Sequence, residues 1–415
     1  FPAASAGWVI SREKFMDLID KRHFLNFLKY RISYGVVGQN ANAGNFAYLP
    51  GYSLNSQAYV IGGSFVPGFG DPGFPSTNIT WYSQQSFNTG VDFTVLNNAL
   101  SGSVDYFYYR TKNYLTSPSG AGYTDPLGTS LPLINSPTGA FRRAGFEFHL
   151  AYNNHIGDLK YAIGMNFTKF DQMWEVNPDE DSATLKNPYK RSSQVIGYNT
   201  IGYYAEGLYK TPEDILNSPT RLSSTNLRPG DIRYSDENGD GKLDGDDQRR
   251  VGSNPFPRIN YGLTVDLSWH AWFFNMLWQG ASKRDIYLSN IITDGTNIIY
   301  PFQLDYWTMQ NSNALLPRAT TTVSVNGNNN TVTSDYWLAN GRYLRLKALQ
   351  LGYDFKGGLL SRVNFITNLR VTLSGANLLT FSPAKKYYMD PETGSTNNYD
   401  YPSQRVYSIS VNVGF

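Results

Sequence analysis

The chain has 415 residues, of which 16% are charged and 15% are aromatic, with tyrosine the commonest aromatic type. A net charge of +2 offers no basic excess for a nucleic-acid partner, and the lack of cysteine excludes disulfides, thiolate zinc sites and cysteine nucleophiles. No apolar run of about 18 residues is present, so no transmembrane helix is predicted.

Period-two alternation of apolar and polar residues recurs along the whole chain and predicts β-strands with one apolar and one polar face. Several apolar rows end in an aromatic residue, as in Tyr407 to Phe415. Strands of this kind keep the mean hydropathy low even in a membrane barrel. The predicted strands span 2–10, 25–36, 79–96, 102–116, 141–153, 159–173, 257–269, 272–287, 342–355, 368–381 and 404–415.

Two departures from simple strands are predicted. The segment 11–24 has a helical pattern with Ser11 as its cap, and a short helix is expected after Thr211, with Pro212 in its first position. In the strand 342–355 the apolar row changes face, which predicts a bulge near Lys347.

The connections between strands alternate in length. Tight links are predicted at Leu96–Leu100, Asn153–Gly157 and His270–Ala271, with long loops near 37–78, 177–256, 289–341 and 383–403. Short turns on one side and long loops on the other are typical of an outer-membrane β-barrel, with the long loops extracellular. The fold class predicted is therefore all-β, an antiparallel transmembrane barrel.

The number of predicted strands is odd, which has a consequence for closure. Eleven antiparallel strands cannot close on themselves, and an unpaired edge cannot face lipid, because its backbone groups would find no water there. We therefore expect further strands to come from sequence upstream of Phe1.

One loop has the residue spacing of a calcium-binding site. Counted from Asp236, oxygen ligands occur at positions 1, 3, 5, 9 and 12, a backbone carbonyl at 7 and Gly241 at 6, as in an EF-hand loop. The alternative is a glycine-rich loop held by Asx-turns, with solvated carboxylates. A structural Ca²⁺ would use the side chains or carbonyl of Asp236, Asn238, Asp240, Lys242, Asp244 and Asp247.

Two further groups of residues are candidates for contacts with ligands or partners. Charged residues on polar strand faces are expected to line the lumen or simply to solvate it. Loop aromatics are expected to stack on sugars, to pack the loops or to meet a partner, and the last two uses are favoured. The lumen candidates are Arg31, Asp92, Arg143, Glu147, Asp266 and Arg370, and the loop aromatics are Tyr300, Phe302, Tyr306, Trp307, Tyr336 and Trp337.

No motif of an enzyme is present. The four histidines form no HExxH pair and no GxSxG sequence occurs. The GxGxxG at Gly68–Gly73 is followed by no helix and contains Pro72, so it is interpreted as turn chemistry. We predict no catalytic residues.

Several stretches together resemble one family. They are ITWYSQQSFNTGVDFTVLNNALSGSVDYFYYRTKNYL, PGDIRYSDENGDGKLDGDDQRRVGSNPFPRINYGLTVDLSW, NGRYLRLKALQLGYDF, LRVTLSGANLLTFS and the terminal YPSQRVYSISVNVGF. Together with the opening FPAASAGWVISREKFM they resemble the SusC/RagA-type TonB-dependent transporters of Bacteroidetes, in the order found in that family.

The resemblance implies a plugged barrel of about 22 strands, of which this chain would be the C-terminal half. It also implies a place in the outer membrane, energy from TonB, and a SusD-like surface lipoprotein over the long loops. The cargo implied is a large nutrient, a glycan more often than a peptide. The rival interpretations are a passive porin or adhesin barrel and a secreted β-rich glycan-acting enzyme.

Overall fold

Eleven long strands form one antiparallel sheet in this computed structural model. It describes all residues except 20–23, 41–45, 50, 71–73, 117–130, 198–199, 222–225, 254–255, 289–299, 321–322, 356–364 and 393–402. The strands of the sheet are β1 (Ala3–Val9), β2 (Leu25–Gln39), β3 (Tyr82–Val95), β4 (Leu100–Lys112), β5 (Ala140–Ile156), β6 (Leu159–Val176), β7 (Ile259–Trp269), β8 (Trp272–Ser282), β9 (Tyr343–Asp354), β10 (Asn368–Phe381) and β11 (Val406–Gly414).

The order of strands in the sheet is the order of strands in the chain, so each strand pairs with the next. This arrangement confirms the predicted all-β antiparallel fold and its eleven strands. Pairing is most regular at β7, which pairs with β6 and with β8 along its whole length. Among the described residues, no helix is both long enough and apolar enough to cross a membrane.

The two faces of the sheet differ in chemistry. One cross-strand row consists of Tyr152, Ile163, Val265, Met276 and Leu349, which are paired in turn from β5 to β9. An adjacent row on the other face runs Asp266, Asn275, Gln350, Ser374 and Ser408 from β7 to β11. Because side chains alternate along a strand, this register produces one apolar face for lipid and one polar face for the lumen.

The predicted bulge near Lys347 is confirmed. Leu277 pairs with Ala348 whereas its neighbour Trp278 pairs with Leu346, so Lys347 is the extra residue in β9. The pairing of β9 with β10 shifts at the same point. One extra residue moves the following apolar side chains back to the lipid face, which explains the change of face seen in the sequence.

Tight turns close one end of the sheet. Residues 96–99 join β3 to β4, and His270 with Ala271 joins β7 to β8, as predicted. The turn predicted at Asn153–Gly157 is instead formed by Gly157 and Asp158, and β5 continues to Ile156. A φ of +57° at Gly157 permits a two-residue turn, so pairing continues to the last residue before it.

The helix predicted over 11–24 is shorter than expected. A 3₁₀ turn spans Ile10–Arg12, and α1 (Lys14–Ile19) follows it. Ser11 lies inside the 3₁₀ turn, so the prediction that it caps the helix is wrong. Glu13 between them is extended, with ψ near 140°, and its carboxylate accepts a hydrogen bond from the Trp8 indole at 2.8 Å. Residues 20–23 lie outside the described part.

Two short helices lie in the long connection after β6. They are α2 (Ser182–Lys186), capped by Asp181, and α3 (Pro212–Leu216), capped by Thr211. In α3 the Thr211 hydroxyl accepts from the Asp214 N–H and the Asp214 carboxylate accepts from the Thr211 N–H. This capping box confirms the helix predicted there.

The long connections also contain two-stranded ribbons. The pairs are Ser53–Ile61 with Ser64–Gly70, Leu115–Thr116 with Ile134–Asn135, Thr200–Gly202 with Arg249–Val251, Ala205–Leu208 with Ile232–Tyr234, Thr220–Arg221 with Lys242–Leu243, and Asp285–Tyr287 with Leu338–Asn340. Further 3₁₀ turns span Gly245–Asp247, Pro301–Leu304, Val323–Asn326, Asn329–Thr331, Asp335–Trp337 and Pro383–Tyr387.

The apolar face of the sheet gives the first testable prediction. Val265→Arg, near the middle of β7, places a guanidinium among apolar neighbours and should destabilise the protein by about 2–4 kcal/mol in a bilayer. Thr264→Arg, at nearly the same depth on the polar face, should cost much less. Denaturant titrations of both variants in lipid vesicles measure the difference. Equal losses would contradict the assignment of the faces.

Candidate functional site

An ion-pair cluster lies on the polar face of β2, β3 and β4. The Arg31 guanidinium binds both carboxylate oxygens of Asp92, at 2.7 and 2.8 Å, and reaches Asp105 at 2.9 Å. Gly90 stands between Arg31 and Asp105 in the register, and a Cβ there would lie 2.1 Å from the Asp105 carboxylate. Glycine at this position therefore lets the arginine cross a strand to its second partner.

The other lumen candidates are bound to near neighbours rather than gathered in one place. Arg143 donates to Gln172 at 3.1 Å. Arg370 pairs with Asp354 at 3.3 Å and lies over the Phe273 ring. In the remaining pairs, Glu147 accepts from Thr168 and Asp266 accepts from Asn275. This arrangement gives a polar, internally paired wall, and the six candidates form no catalytic constellation.

A hydrophobic cluster, which we call the loop core, connects the long loops. It combines residues from the connections after β6, β8 and β10, and most of its side chains are almost fully buried. Its members are Tyr203, Ile232, Tyr234, Leu243, Ile286, Leu288, Phe302, Leu316, Trp337, Ala339, Ala384 and Met389. The loops therefore fold together as one body above the barrel wall.

The loop aromatics occupy different places relative to this core. Phe302 and Trp337 are buried members of it, and Tyr300 and Tyr336 pack against it. Burial raises the pKa of Tyr336, whose hydroxyl donates to the Leu315 carbonyl at 2.8 Å. The Trp307 ring lies over Gly230. Tyr306 is the most exposed of the six, with 36% of its surface accessible.

A buried carboxylate joins two of these loops, and the sequence analysis did not predict it. Asp231 is fully buried and accepts bonds from Arg318 at 2.7 Å, Asn326 at 3.0 Å and Asn330 at 2.9 Å. Because these partners lie about ninety residues further along the chain, no local motif marks them. The asparagine-rich stretch 326–330 was the only available signal.

A second buried ion-pair network ties the loop after β10 to the barrel wall. Arg345 of β9 binds Asp390 and Glu392, each at 2.6 Å, and Lys347 binds Glu392 at 2.6 Å. Burial alone would raise the pKa of Asp390, but bonds from Arg345 and from the Glu392 and Ser403 amides outweigh it and lower that pKa to about 2. Lys347 is the bulge residue, so the bulge also supplies a cation to this network.

The candidate calcium loop is held by its own backbone. Asp236 accepts from the Gly239 and Gly241 amides at 2.6 and 2.8 Å, and buried Asp247 accepts from the Glu237 and Asp244 amides. The Gly241 amide lowers the pKa of Asp236. Side chains of Asn238, Asp240 and Asp244 each accept from the amide two residues on.

These contacts are those of the Asx-turn alternative. Among the described residues, no three acidic or histidine side chains are grouped as they would be around a metal ion. The carboxylate oxygens of Asp236, Asp240 and Asp244 each accept at most one amide here and keep a lone pair, whereas Asp247 Oδ1 accepts two amides, so the donor chemistry of the first three still suits Ca²⁺. Calcium binding by Asp236, Asn238, Asp240, Lys242, Asp244 and Asp247 stays a prediction.

Comparison with known proteins gives matches along the whole chain. "TonB-dependent receptor P3" of Formosa agariphila is 25% identical, and the match covers 100% of this chain and 42% of that receptor. TonB-dependent receptor SusC of Bacteroides thetaiotaomicron is 22% identical, with 100% of this chain and 40% of SusC covered. The chain is a homologue of the TonB-dependent receptors. It spans about two fifths of the length of these relatives.

Solved structures share the fold of this TonB-dependent receptor homologue. The structure of the RagAB peptide transporter superposes with a TM-score of 0.73 at 19% identity, covering 100% of this chain and 43% of that one. The RagAB importer in its open-open state gives 0.75 at 19% identity, covering 100% and 42%. No protein-family model matches the chain. These relatives and the sheet place the chain in the outer membrane, as the sequence predicted.

The Arg345 network gives a prediction for pH. The pKa of Asp390 is lowered from 3.8 to about 2. The stability that its ionised carboxylate contributes is therefore fully present above pH 3.8 and is lost as pH falls through 2. Asp390→Asn should cost about 2 kcal/mol at pH 7 and almost nothing near pH 2. Hydrogen exchange of the amides of 382–392, corrected for intrinsic rates, measures this.

Glu206→Gln is the control for that experiment, because the Glu206–Arg233 pair is about 40% exposed and exposed pairs contribute little. A cost for Asp390→Asn that does not change with pH would contradict the prediction.

The calcium loop gives a third prediction. Asp240→Ala removes a proposed ligand and should abolish calcium binding by this loop in calorimetry, while the barrel stays folded because the loop lies outside it. Asp246→Asn is the matched control, since Asp246 lies in the same loop but at none of the ligand positions. Wild-type protein that takes up no calcium after chelation and dialysis would remove the assignment.

Proposed function

We propose that the protein imports a large nutrient across the outer membrane by TonB-dependent active transport, without chemistry on the nutrient. The observation that carries the proposal is the homology to TonB-dependent receptors along the entire eleven-stranded sheet. The polar, ion-paired face supports it, because a wall of this kind suits a hydrated lumen.

The proposal includes the rest of the barrel and its energy source. Among the described strands, β1 and β11 each have one neighbour in the sheet, and lipid does not tolerate open edges. We propose that further strands of the same protein complete the barrel around an N-terminal plug, and that TonB acts on this plug from the periplasm.

A SusD-like lipoprotein is the proposed partner on the outside. The loop core makes the loops after β6, β8 and β10 one ordered body, which suits a docking platform better than separate mobile loops do. Near Tyr306, the side chains of Leu304 and Met309 are 63% and 85% exposed. This apolar surface on the loop body is the part we propose to meet the lipoprotein.

For the cargo we propose an oligosaccharide in preference to a peptide. SusC-type systems usually carry glycans, which is what the resemblance implies. The competing candidate is a peptide, because the superposed RagAB proteins are a peptide transporter and importer. Likeness at 19% identity concerns the fold, so it does not carry that cargo to this chain.

Uptake assays test the function directly. Cells with the full-length protein should accumulate one member of a panel of labelled oligosaccharides, and deletion of TonB or a protonophore should abolish the uptake. A passive porin would keep its uptake under both treatments, and a secreted enzyme would release products outside the cell. Energised uptake of peptides alone would replace the glycan assignment and retain the import function.

A further inference from the structure

A polar cavity of about 420 Å³ lies at the extracellular end of β6. Trp174, which closes one side, shares a strand face with Gln172, the partner of Arg143 on the lumen wall. The cavity therefore adjoins the mouth of the lumen. Its charged and polar lining includes Asn177, Asp179, Lys190, Arg191 and Arg250.

Two arginines of this cavity are held in place by the backbone. Arg250 donates to the carbonyls of Pro188 and Arg191, the first at 2.8 Å. Arg191 sits in a segment whose next two residues are fixed by Glu180, which accepts the Ser192 and Ser193 amides. The guanidinium groups are thus presented by an ordered loop.

Neither arginine has a carboxylate partner within 4.0 Å among the described residues. The Arg191 Nε is buried and has no hydrogen-bond partner there. The two nearby acids are already engaged, Glu180 with the serine amides and Asp179 with the Thr116 hydroxyl. Burial, and then the charge of Arg191, lower the pKa of Arg250.

Two guanidinium groups without carboxylate partners in one partly buried site destabilise the folded loop unless an anion offsets their charge. Two like charges face each other in a partly desolvated site, and a buried donor without an acceptor loses its hydration. With Lys190 the cavity lining contains three cations and one carboxylate, that of Asp179. Beside the lining, Lys190 pairs with the exposed Asp246 at 4.0 Å, and the charge of Glu180 opposes the lowering of the Arg250 pKa. A guanidinium pairs best with a planar or tetrahedral oxyanion, which accepts two parallel N–H bonds.

We propose that this cavity is a binding site for an oxyanion, a carboxylate or a sulfate, with Arg191 and Arg250 as its ligands. The role of the site rests on the proposed import function: it selects cargo that carries such an oxyanion as the cargo enters the lumen. Trp174 supplies an apolar wall beside the anion, where the body of the cargo passes.

Calorimetry on the full-length protein in detergent tests the site without transport. Sodium sulfate and sodium acetate are titrated separately at low ionic strength. At least one of the two anions should bind saturably, and the comparison shows which one fits the site. Arg191→Gln should weaken binding about tenfold or more, because one charge-assisted contact is lost. Arg191 is the better target, because its Nε makes no hydrogen bond to the described residues, whereas Arg250 holds the carbonyls of Pro188 and Arg191.

Arg233→Gln is the matched control, because Arg233 belongs to the same long loop but pairs with Glu206; its affinity should equal that of the wild type. Arg191→Lys keeps the charge and should bind with intermediate affinity. The heat-modifiable band on gels confirms that each variant is folded. No saturable binding of either anion to the wild type, or wild-type affinity in Arg191→Gln, would overturn the proposal. Anion binding is measured without transport, so a failure of the proposed import function can be distinguished from a failure of the proposed oxyanion site.

Discussion

Every backbone amide and carbonyl that crosses the hydrocarbon layer must find a partner in the protein, because lipid offers none. The rest of the structure depends on this constraint. It forces each strand to pair along its whole crossing, as β7 does with both neighbours. Continuous pairing then fixes the register, and the register sorts side chains into the apolar and polar rows. Irregular backbone is left to the two ends, where water or loop contacts satisfy it.

Different interactions stabilise the two ends of the sheet. At the end with tight turns, little remains beyond the strand ends and aromatic pairs such as Trp272 with Tyr353, whose rings lie 4.9 Å apart. At the other end, the loops bury a core that resembles that of a soluble domain. Buried Asp231 and Arg345 connect this body internally and to the wall, and removing one partner of such a pair leaves an uncompensated charge. The described parts of these loops consequently form a structured surface.

The charged side chains along the path of the proposed cargo differ between the wall and the mouth. On the wall, Arg31 and Arg370 have carboxylate partners in neighbouring strands. At the mouth, Arg191 and Arg250 have none among the described residues. A paired wall holds an ionic cargo weakly, which favours passage, whereas unpaired guanidinium groups at the entrance favour capture. The contrast separates residues that keep the barrel polar from residues available to a ligand.

The sequence by itself determined the eleven strands, their faces, the bulge near Lys347 and the capped helix after Thr211. These features follow from periodicity and caps within a few residues, so local pattern carries them. It overextended the first helix, because the extended Glu13 has no local signature, and it misplaced the turn at Gly157 by a few residues. Only the tertiary structure decided that Phe302 and Trp337 lie in a loop core, that Asp231 meets Arg318, and that Arg191 and Arg250 line one cavity. Those contacts join residues from about sixty to about ninety positions apart, and a pattern read along the chain cannot show which distant side chains the folding of the loops brings together.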